Sequence, residues 1–568
     1  MAGGYPNGTG ALLEDVGRLC DGEGTCRQET ASTMSAGHQP EPDRRAASPA
    51  GSRPPAALSF GESAGSFSRQ VSTGTASGRF QHVFNAKRCG RLDDRYELAD
   101  VIGEGAFGKI FRAVARDFPA EDLPAGEAGP GGGACPGGQL RAVKTISCSA
   151  RSAEAEVAVQ KQLDHPNVAK LYEVFQDKVK FYLVLELCSG GELFQKVVRA
   201  GGSFCEGQAA TYVRQLLSAL NYLHGSRVVH RDVKPENMLL QSPADDAPLK
   251  LIDFGIARTY EPGQVLTTCC GTPMYISPQV LAKSYNQLCD VWSAGVITYV
   301  LLCGSAPFFA RDESDLLKKI QKGAFDFDDE EWDDVSDAAK AVIRRMMAFE
   351  ASSRPSADVL LQDRWLEASE SRDAGRLSKS LVAKLRQFKV VSQFKKIALS
   401  LAAQLLSDED IKDMQQTFTA LDKDNNGVLS HVEISDGLSS HGLALPPDLE
   451  EILENIDTDG SGCIDYTEFI ASTMSRKLYL REEILWGAFR TFDSNGDGKI
   501  SREEFVNIVN LGDQSDVLSI FGEADVDGDG NVDFLEFCNM MRTSSVDSPA
   551  LGSDAEGVIR KYSFHVHQ

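Results

Sequence analysis

The chain is poor in tryptophan, with 4 in 568 residues, and short of positive charge, with 58 Lys and Arg against 82 Asp and Glu and a formal net charge of −24. It also lacks long apolar runs. No stretch approaches about 18 uninterrupted apolar residues, so a membrane-spanning helix is not expected. The start of the chain has no charged segment leading into an apolar core, which predicts no secretion leader, and MAGG in place of MG removes a myristoylation start. The 13 cysteines have no regular spacing, which argues against a disulfide framework and for free thiols in a reducing, cytoplasmic setting. Most of the acid excess is local. Residues 407–541 hold 30 acidic and 8 basic side chains, a field that disfavours nucleic acid and favours cations or basic peptides.

A chain of 568 residues with 42% hydrophobic content exceeds one core and predicts several domains. Residues 1–94 are rich in Gly, Ser, Ala and Pro and predict a disordered extension. Strand-like texture begins at Tyr96. Residues 120–139 contain 7 Gly and 3 Pro between expected strands at 110–114 and 140–145, which makes them an insertion in a folded domain spanning 95–366. In the segment 367–406, residues 376–396 carry seven Arg or Lys and no acid, with Leu377, Leu381, Leu385, Phe388 and Val391 at three- and four-residue intervals. That spacing predicts one basic amphipathic helix, suited to a calmodulin-like groove or an anionic membrane surface. Residues 542–568 form a polar tail.

Three short motifs point to phosphate chemistry. The first is GEGAFG, with Gly103, Gly105 and Gly108 between two expected strands; a strand on both sides disfavours a dinucleotide fold. Backbone here can approach phosphate oxygens, giving Ile102, Gly103, Glu104, Gly105, Ala106, Phe107, Gly108, Lys109 and Ile110 as a nucleotide-contacting run, with Ile110 over the base. In RAVK, Lys144 can reach phosphates and Ala142 leaves room for a purine. The second is HRDVKPENML, where Asp232 is placed to orient and deprotonate a hydroxyl, Lys234 to steady transferred charge and Asn237 to hold magnesium. The third is DFG, with Asp253 bridging metal and phosphates.

In these motifs, residues 96–365 resemble the eukaryotic protein kinase catalytic domain. The resemblance implies ATP and Mg2+ as cofactors, Glu156 as the partner of Lys144, Leu185 at the deep adenine pocket, Glu186 and Leu187 as the hinge, and Glu192 as a ribose or substrate contact. It further implies Leu239 as the adenine floor and Asp290 as a buried anchor. One position departs from the family: SPQ stands where APE is usual, so Gln279 replaces the acid expected to pair with Arg354. Glu192 and Glu236 flank the expected peptide entrance, favouring Ser/Thr substrates with a basic residue three positions upstream. RAAS, RQVS and RTSS place Ser48, Ser72 and Ser545 at that offset as autophosphorylation candidates. Arg231 offers a phosphate site for Thr267 or Thr268, unless nearby polar or acidic groups already order that segment, as the resemblance implies.

Four 12-residue runs follow, at 422–433, 457–468, 493–504 and 525–536. Each has an acid first, Gly sixth and Glu last, a pattern that grips calcium with oxygen ligands. The expected ligands are Asp422, Asp424, Asn426, Val428, Ser430 and Glu433; Asp457, Asp459, Ser461, Cys463, Asp465 and Glu468; Asp493, Asn495, Asp497, Lys499, Ser501 and Glu504; and Asp525, Asp527, Asp529, Asn531, Asp533 and Glu536. Leu429, Ile464, Ile500 and Val532 at position eight are expected to tie the loops in pairs. Up to four Ca2+ are implied.

The whole order resembles the calcium-dependent protein kinases of plants, ciliates and apicomplexan parasites. It implies a multidomain chain, an α+β bilobal kinase followed by an all-α two-lobed EF-hand domain, acting as a monomeric calcium-activated Ser/Thr kinase. The implied partners are protein substrates and the chain's own junction helix, bound by the EF-hand lobes; nucleic acid is not implied, and peripheral membrane contact stays open. A calcium-responsive scaffold with secondary catalysis is the alternative, and a kinase driven by external calmodulin a third reading.

Overall fold

The computed structural model describes residues 91–105, 108–116, 139–148, 153–199, 203–328, 330–367, 381–389, 391–443, 445–509 and 520–543. Ala106 and Phe107, residues 1–90 of the extension, the insertion from 120 to 138, the junction's first residues with Leu377, the tail from 544, and Ser48, Ser72 and Ser545 lie outside the described residues.

The first lobe is an antiparallel five-stranded sheet of β1 (Tyr96–Gly105), β2 (Gly108–Ala115), β3 (Leu140–Ser147), β4 (Leu171–Gln176) and β5 (Lys180–Leu185), in the order β1-β2-β3-β5-β4. β3 is buried from Ala142 to Ile146 because both faces are covered. Helix α1 (Ala153–Gln160) packs Ala153 and Val157 on one side, with Ile146, Leu171 and Leu183. Leu92, Tyr96 and Phe175 close the other side around Val143. Leu92 sits in a short 3-10 turn, Leu92–Asp94, so the folded unit takes in residues whose composition had suggested extension. The register sets Lys144 opposite Ile110 and Ala142 opposite Leu185.

The second lobe is built on α2 (Glu206–Gly225) and α3 (Leu288–Cys303), with the hairpin of β6 (Met238–Leu240) and β7 (Leu249–Leu251) carrying the catalytic motifs. Apolar residues run all round α3, and Cys289–Cys303 are buried throughout, as expected for a central core helix.

The junction corrects one expectation. Instead of one helix over 376–396, the described part forms two, α4 (Leu381–Lys389) and α5 (Gln393–Leu405). The Ser392 hydroxyl accepts from Lys395 N at 3.4 Å and starts the second helix as its N-cap, which the apolar periodicity conceals. Both helices share one apolar core with the EF-hand helices α6 (Asp408–Leu421), α7 (His431–Ser440), α8 (Leu449–Ile456), α9 (Tyr466–Thr473), α10 (Glu482–Phe492), α11 (Arg502–Val509) and α12 (Phe534–Arg542). Phe394 is fully buried, its ring centroid 4.5 Å from Phe505, 5.4 Å from Phe492 and 6.4 Å from Phe537.

The EF-hand region is largely helical, and its loops meet in pairs through position eight. Leu429 and Ile464 exchange two backbone hydrogen bonds of 2.8 Å. Ile500 pairs with Val532 between the short strands β8 (Lys499–Ser501) and β9 (Asn531–Asp533). This region touches both kinase lobes. Arg95 donates to the Arg490 carbonyl at 2.7 Å, the Gln139 amide donates to the Leu405 carbonyl, and Lys412 pairs with Asp246 at 3.0 Å.

Candidate functional site

Two clusters of charged side chains face the cleft between the lobes. In the first, Lys144 Nζ lies 2.6 Å from Glu156 Oε1 and 2.8 Å from Asp253 Oδ1. Burial alone would make the Lys144 ammonium easier to deprotonate, but Asp253 and Glu156 outweigh it and hold the group charged. Glu156 uses only one oxygen here; its Oε2 is buried without a hydrogen-bond partner among the described residues. Burial also works against the Asp253 carboxylate, and Lys144 with the Gly255 amide more than offsets it, so this group sits below its usual range.

In the second cluster, Asp232 Oδ1 accepts from Thr272 Oγ1 at 2.8 Å, and Asp232 Oδ2 pairs with Lys234 Nζ at 2.8 Å. Asn237 Nδ2 donates to the Asp232 carbonyl at 2.9 Å and joins the two ends of this loop. Below it, the carboxylate of Asp290 accepts from the amides of His230 and Arg231 at 2.9 and 2.8 Å and from His224 Nε2 at 3.0 Å. The clusters are tied together just past β7, where Ile252 N donates to the Asn237 carbonyl at 3.0 Å. Arg231 (φ 69°) and Asp253 (φ 63°) are held in left-handed backbone, strain of a kind that concentrates at functional sites.

On the nucleotide side, Ala142 is buried and Leu185, Leu187 and Leu239 are half-buried, while Ile102 is exposed. Gly108 cannot carry a side chain, since a Cβ there would collide with the Thr145 carbonyl. Glu104 pairs with Lys109 at 3.6 Å on the surface. The side chain of Glu186 is held by buried Lys250 at 2.8 Å and by Gln241 at 3.2 Å, and its amide donates to the Lys170 carbonyl at 2.8 Å, which leaves its carbonyl for any hinge contact. Burial and the neighbouring Glu236 together push the Glu192 carboxyl up. The residues present fit nucleotide with a divalent ion: a fixed ammonium, two hard-oxygen side chains at Asn237 and Asp253, and an apolar slot.

Among the described residues no acid pairs with the Arg231 guanidinium, and the activation segment is ordered by other contacts. Leu266 and Tyr285 exchange backbone hydrogen bonds of 2.8 and 3.1 Å, and Tyr285 Oη donates to the Thr268 carbonyl at 2.8 Å. Arg231 Nη1 reaches the same hydroxyl at 3.4 Å, and its Nε donates to the Ile256 carbonyl at 2.7 Å. The Thr267→Ala, Thr268→Ala double variant should therefore keep its calcium-stimulated rate within about twofold, whereas Tyr285→Phe should lose several-fold in kcat as one relay hydroxyl disappears. Steady-state peptide phosphorylation separates the two, and a dead threonine variant would mean that a phosphate is required.

Gln279 takes up the departure at SPQ in an instructive way. Its Oε1 accepts from Arg354 Nη2 at 3.1 Å, and its Nε2 donates to the Phe349 carbonyl at 2.5 Å. Arg354 is otherwise satisfied by the Leu288 and Ala348 carbonyls, yet its Nε is buried without a hydrogen-bond partner among the described residues, and burial lowers its pKa to about 10. A buried guanidinium without a carboxylate is under-compensated. Gln279→Glu exchanges the hydrogen bond to the Phe349 carbonyl for a charged pair with Arg354, and because a charged hydrogen bond outweighs a neutral one it should raise the kinase melting temperature by about 2–4 °C, with kcat unchanged, in a calorimetric scan. An unchanged or lower melting temperature would mean that the neutral amide is already sufficient.

All four calcium loops have one internal plan. The first Asp accepts from the sixth-position glycine amide, at 3.0 Å (Asp422), 2.7 Å (Asp457), 3.0 Å (Asp493) and 3.1 Å (Asp525). Each last Glu accepts near the loop start with one oxygen and at position nine with the other, as Glu433 does from Lys423 N at 3.0 Å and Ser430 N at 3.0 Å. The glycines have φ between 80° and 87°, which a side chain would strain. Carboxylate oxygens of Asp422, Asp424 and Glu433, of Asp457, Asp459 and Glu468, and of Asp525, Asp527 and Asp529 lie within 4.8 Å of one another, close enough for one ion to be gripped. In the fourth loop Asp529 also pairs with Lys499 of the third at 2.6 Å.

Sequence reasoning missed three contributors. Thr272 lies in the Gly271–Pro273 run inside the activation segment, ahead of SPQ, and was readable as a hydroxyl beside the catalytic loop. Lys250, a charge inside an apolar strand, was a visible anomaly. Tyr285 gave no signal, because its partners come from distant parts of the chain.

Residues 135–366 match the protein kinase domain family, and residues 411–474 and 483–542 match the EF-hand domain pair. The first match begins downstream of the glycine-rich turn. Calcium-dependent protein kinase 5 of Plasmodium falciparum (isolate 3D7) is 36% identical over 461 residues, covering 79% of this chain and 77% of the relative. Calcium-dependent protein kinase 3 of Plasmodium berghei (strain Anka) is 34% identical, covering 80% and 81%. Calcium-dependent protein kinase 21 of Arabidopsis thaliana is 36% identical, covering 69% and 74%.

Proposed function

This chain belongs to the calcium-dependent protein kinase family and is a calcium-regulated Ser/Thr kinase; from that premise we propose that α4 and α5 are its switch, held by the EF-hand lobes when calcium is bound and restraining the kinase when it is not. The observation that carries this reading is the burial of α5 in the EF-hand core around Phe394. Charge supports it. Arg386 pairs with Asp448 at 3.0 Å and Lys389 with Glu451 at 2.8 Å. Lys395 and Lys396 are instead buried, donating to the carbonyls of Thr543 and Asn455 at 2.7 and 2.9 Å. Burial lowers the Lys395 ammonium to about 8, so its hold on the lobe depends on the hydrogen bond more than on an ion pair. Among the described residues no helix is long and apolar enough to cross a membrane.

In catalysis, the substrate hydroxyl would donate to Asp232, whose carboxylate Thr272 and Lys234 hold in position. Lys144, fixed by Glu156, would bind nucleotide phosphates. Asn237 and Asp253 would hold magnesium, which would supply neutralisation of the charge on the transferring phosphoryl group. The four 12-residue loops would hold calcium, with carboxylates converging in the first, second and fourth. Glu192 and Glu236 would favour a basic residue upstream of the target hydroxyl. Glu236→Arg in the full chain should lower kcat/KM at least tenfold for a peptide with Arg three positions before Ser while sparing the Ala analogue. Equal losses on both peptides would remove the charge-selection reading.

A further inference from the structure

The four calcium loops differ in what lies outside them. Among the described residues, a side chain at the sixth-position glycines Gly462 and Gly498 would meet nothing within 4 Å, and at Gly530 only Arg502 of the same lobe at 3.9 Å. At Gly427, in the first loop, it would overlap His165 Cδ2 and lie 2.7 Å from Tyr222 Cδ2, both in the kinase. Asn221, one residue earlier on α2, donates through Nδ2 to the carbonyls of Asp424 at 3.2 Å and Asn425 at 3.1 Å. Asn425 is only 5% exposed, and its backbone is left-handed at φ 53°. The turn of the first loop is thus seated on the kinase.

The seat is rigid. The rings of His165 and Tyr222 stack at 5.1 Å with an interplanar angle of 27°. His165 Nδ1 accepts from Asn167 N at 3.0 Å, leaving Nε2 to donate to Ser218 Oγ at 3.2 Å. Tyr222 Oη accepts from Asp164 N at 2.8 Å. A second tether lies at the start of α9, where Asp164 Oδ2 accepts from Thr467 N and Lys170 Nζ donates to Thr467 Oγ1, both at 2.8 Å. The seated loop keeps the oxygens of Asp422, Asp424 and Glu433 within 4.8 Å of one another. The two carbonyls taken by Asn221 belong to loop positions three and four, whereas the carbonyl ligand of such a loop is at position seven. The kinase contact therefore fixes the turn without occupying a backbone ligand.

We propose that the first loop is an interdomain calcium site whose outer wall is the kinase surface of Asn221, His165 and Tyr222, so that calcium in this loop and seating of the EF-hand region on the kinase strengthen each other. The inference rests on the reading of residues 422–433 as a calcium loop. Coupling of this kind is reciprocal: whatever factor seating adds to calcium affinity, calcium adds to seating. The other three loops, open at their turns, should not share it.

Calorimetric calcium titration of the full chain tests this without reference to activity. Glu433→Gln should remove one calcium equivalent. Asn221→Ala, which improves helix propensity at a half-buried position, should keep every equivalent but weaken one site on the order of tenfold, from loss of two hydrogen bonds. In the Glu433→Gln background the Asn221→Ala change should have no further effect. An unchanged titration for Asn221→Ala, or a weakening that persists after Glu433→Gln, overturns the proposal while leaving the calcium reading intact. Failure of Glu433→Gln to remove an equivalent overturns both.

Discussion

Phe394→Ala should all but abolish calcium stimulation of the kinase. Phe394 is fully buried at the point where α5 enters the EF-hand core, among Phe492, Phe505, Phe521 and Phe537. Truncating a buried Phe costs about 3–5 kcal/mol through lost burial and an incompletely collapsed cavity. If the junction must be held by the lobes for activity, the held population falls by roughly 10²–10⁴ relative to the free one. The calcium loops themselves are untouched. Titrating peptide phosphorylation against free calcium, with calorimetric stoichiometry as a check that the loops still fill, isolates the coupling. A response curve that overlays the wild type would mean that burial of α5 has no part in activation.

Asp232→Asn should remove most of the turnover and little of the nucleotide affinity. Asn can still accept from Thr272, but its amide would face Lys234 Nζ where the carboxylate now forms an ion pair, and it cannot take up the proton of a hydroxyl. General-base contributions are typically about 10²–10⁴-fold, and that is the expected fall in kcat. Lys144, Glu156 and Asp253 form a separate cluster, so KM for ATP should stay within about threefold. A variant retaining more than a tenth of the wild-type kcat would shift the catalytic role away from Asp232, and a collapse of ATP affinity would mean that the two clusters do not act separately.

What was legible in the sequence is what is contiguous in it. Asp232, Lys234 and Asn237 lie within six residues, and each calcium loop within twelve, because a single turn of chain has to present several groups to one ion or one phosphate. The Lys144 and Glu156 contact was reachable only through resemblance, since nothing in the intervening residues fixes how α1 packs on β3. The junction was half legible. Its apolar spacing marked a helix, yet the break at Ser392 follows from a hydroxyl cap that periodicity does not register. Lys395 and Lys396 read as part of a charged face, but long apolar stems let them cross the core boundary and end on backbone carbonyls. Tyr285 and Asn221 were invisible for a different reason. Asn221 bonds to residues more than 200 positions away, so its role exists only after both halves have folded and met.

Control of phosphoryl transfer by calcium binding in the EF-hand region, acting through the junction, can be tested on the intact chain. The most direct measurement is ATP-dependent phosphorylation of a basic Ser peptide by the purified full-length chain while free calcium is titrated from chelated levels through about 10⁻⁷–10⁻⁵ M, the range of sensor loops. The account predicts a low rate without calcium and a steep rise across or near that range, reversed by chelator. A rate that is the same with and without calcium would contradict it.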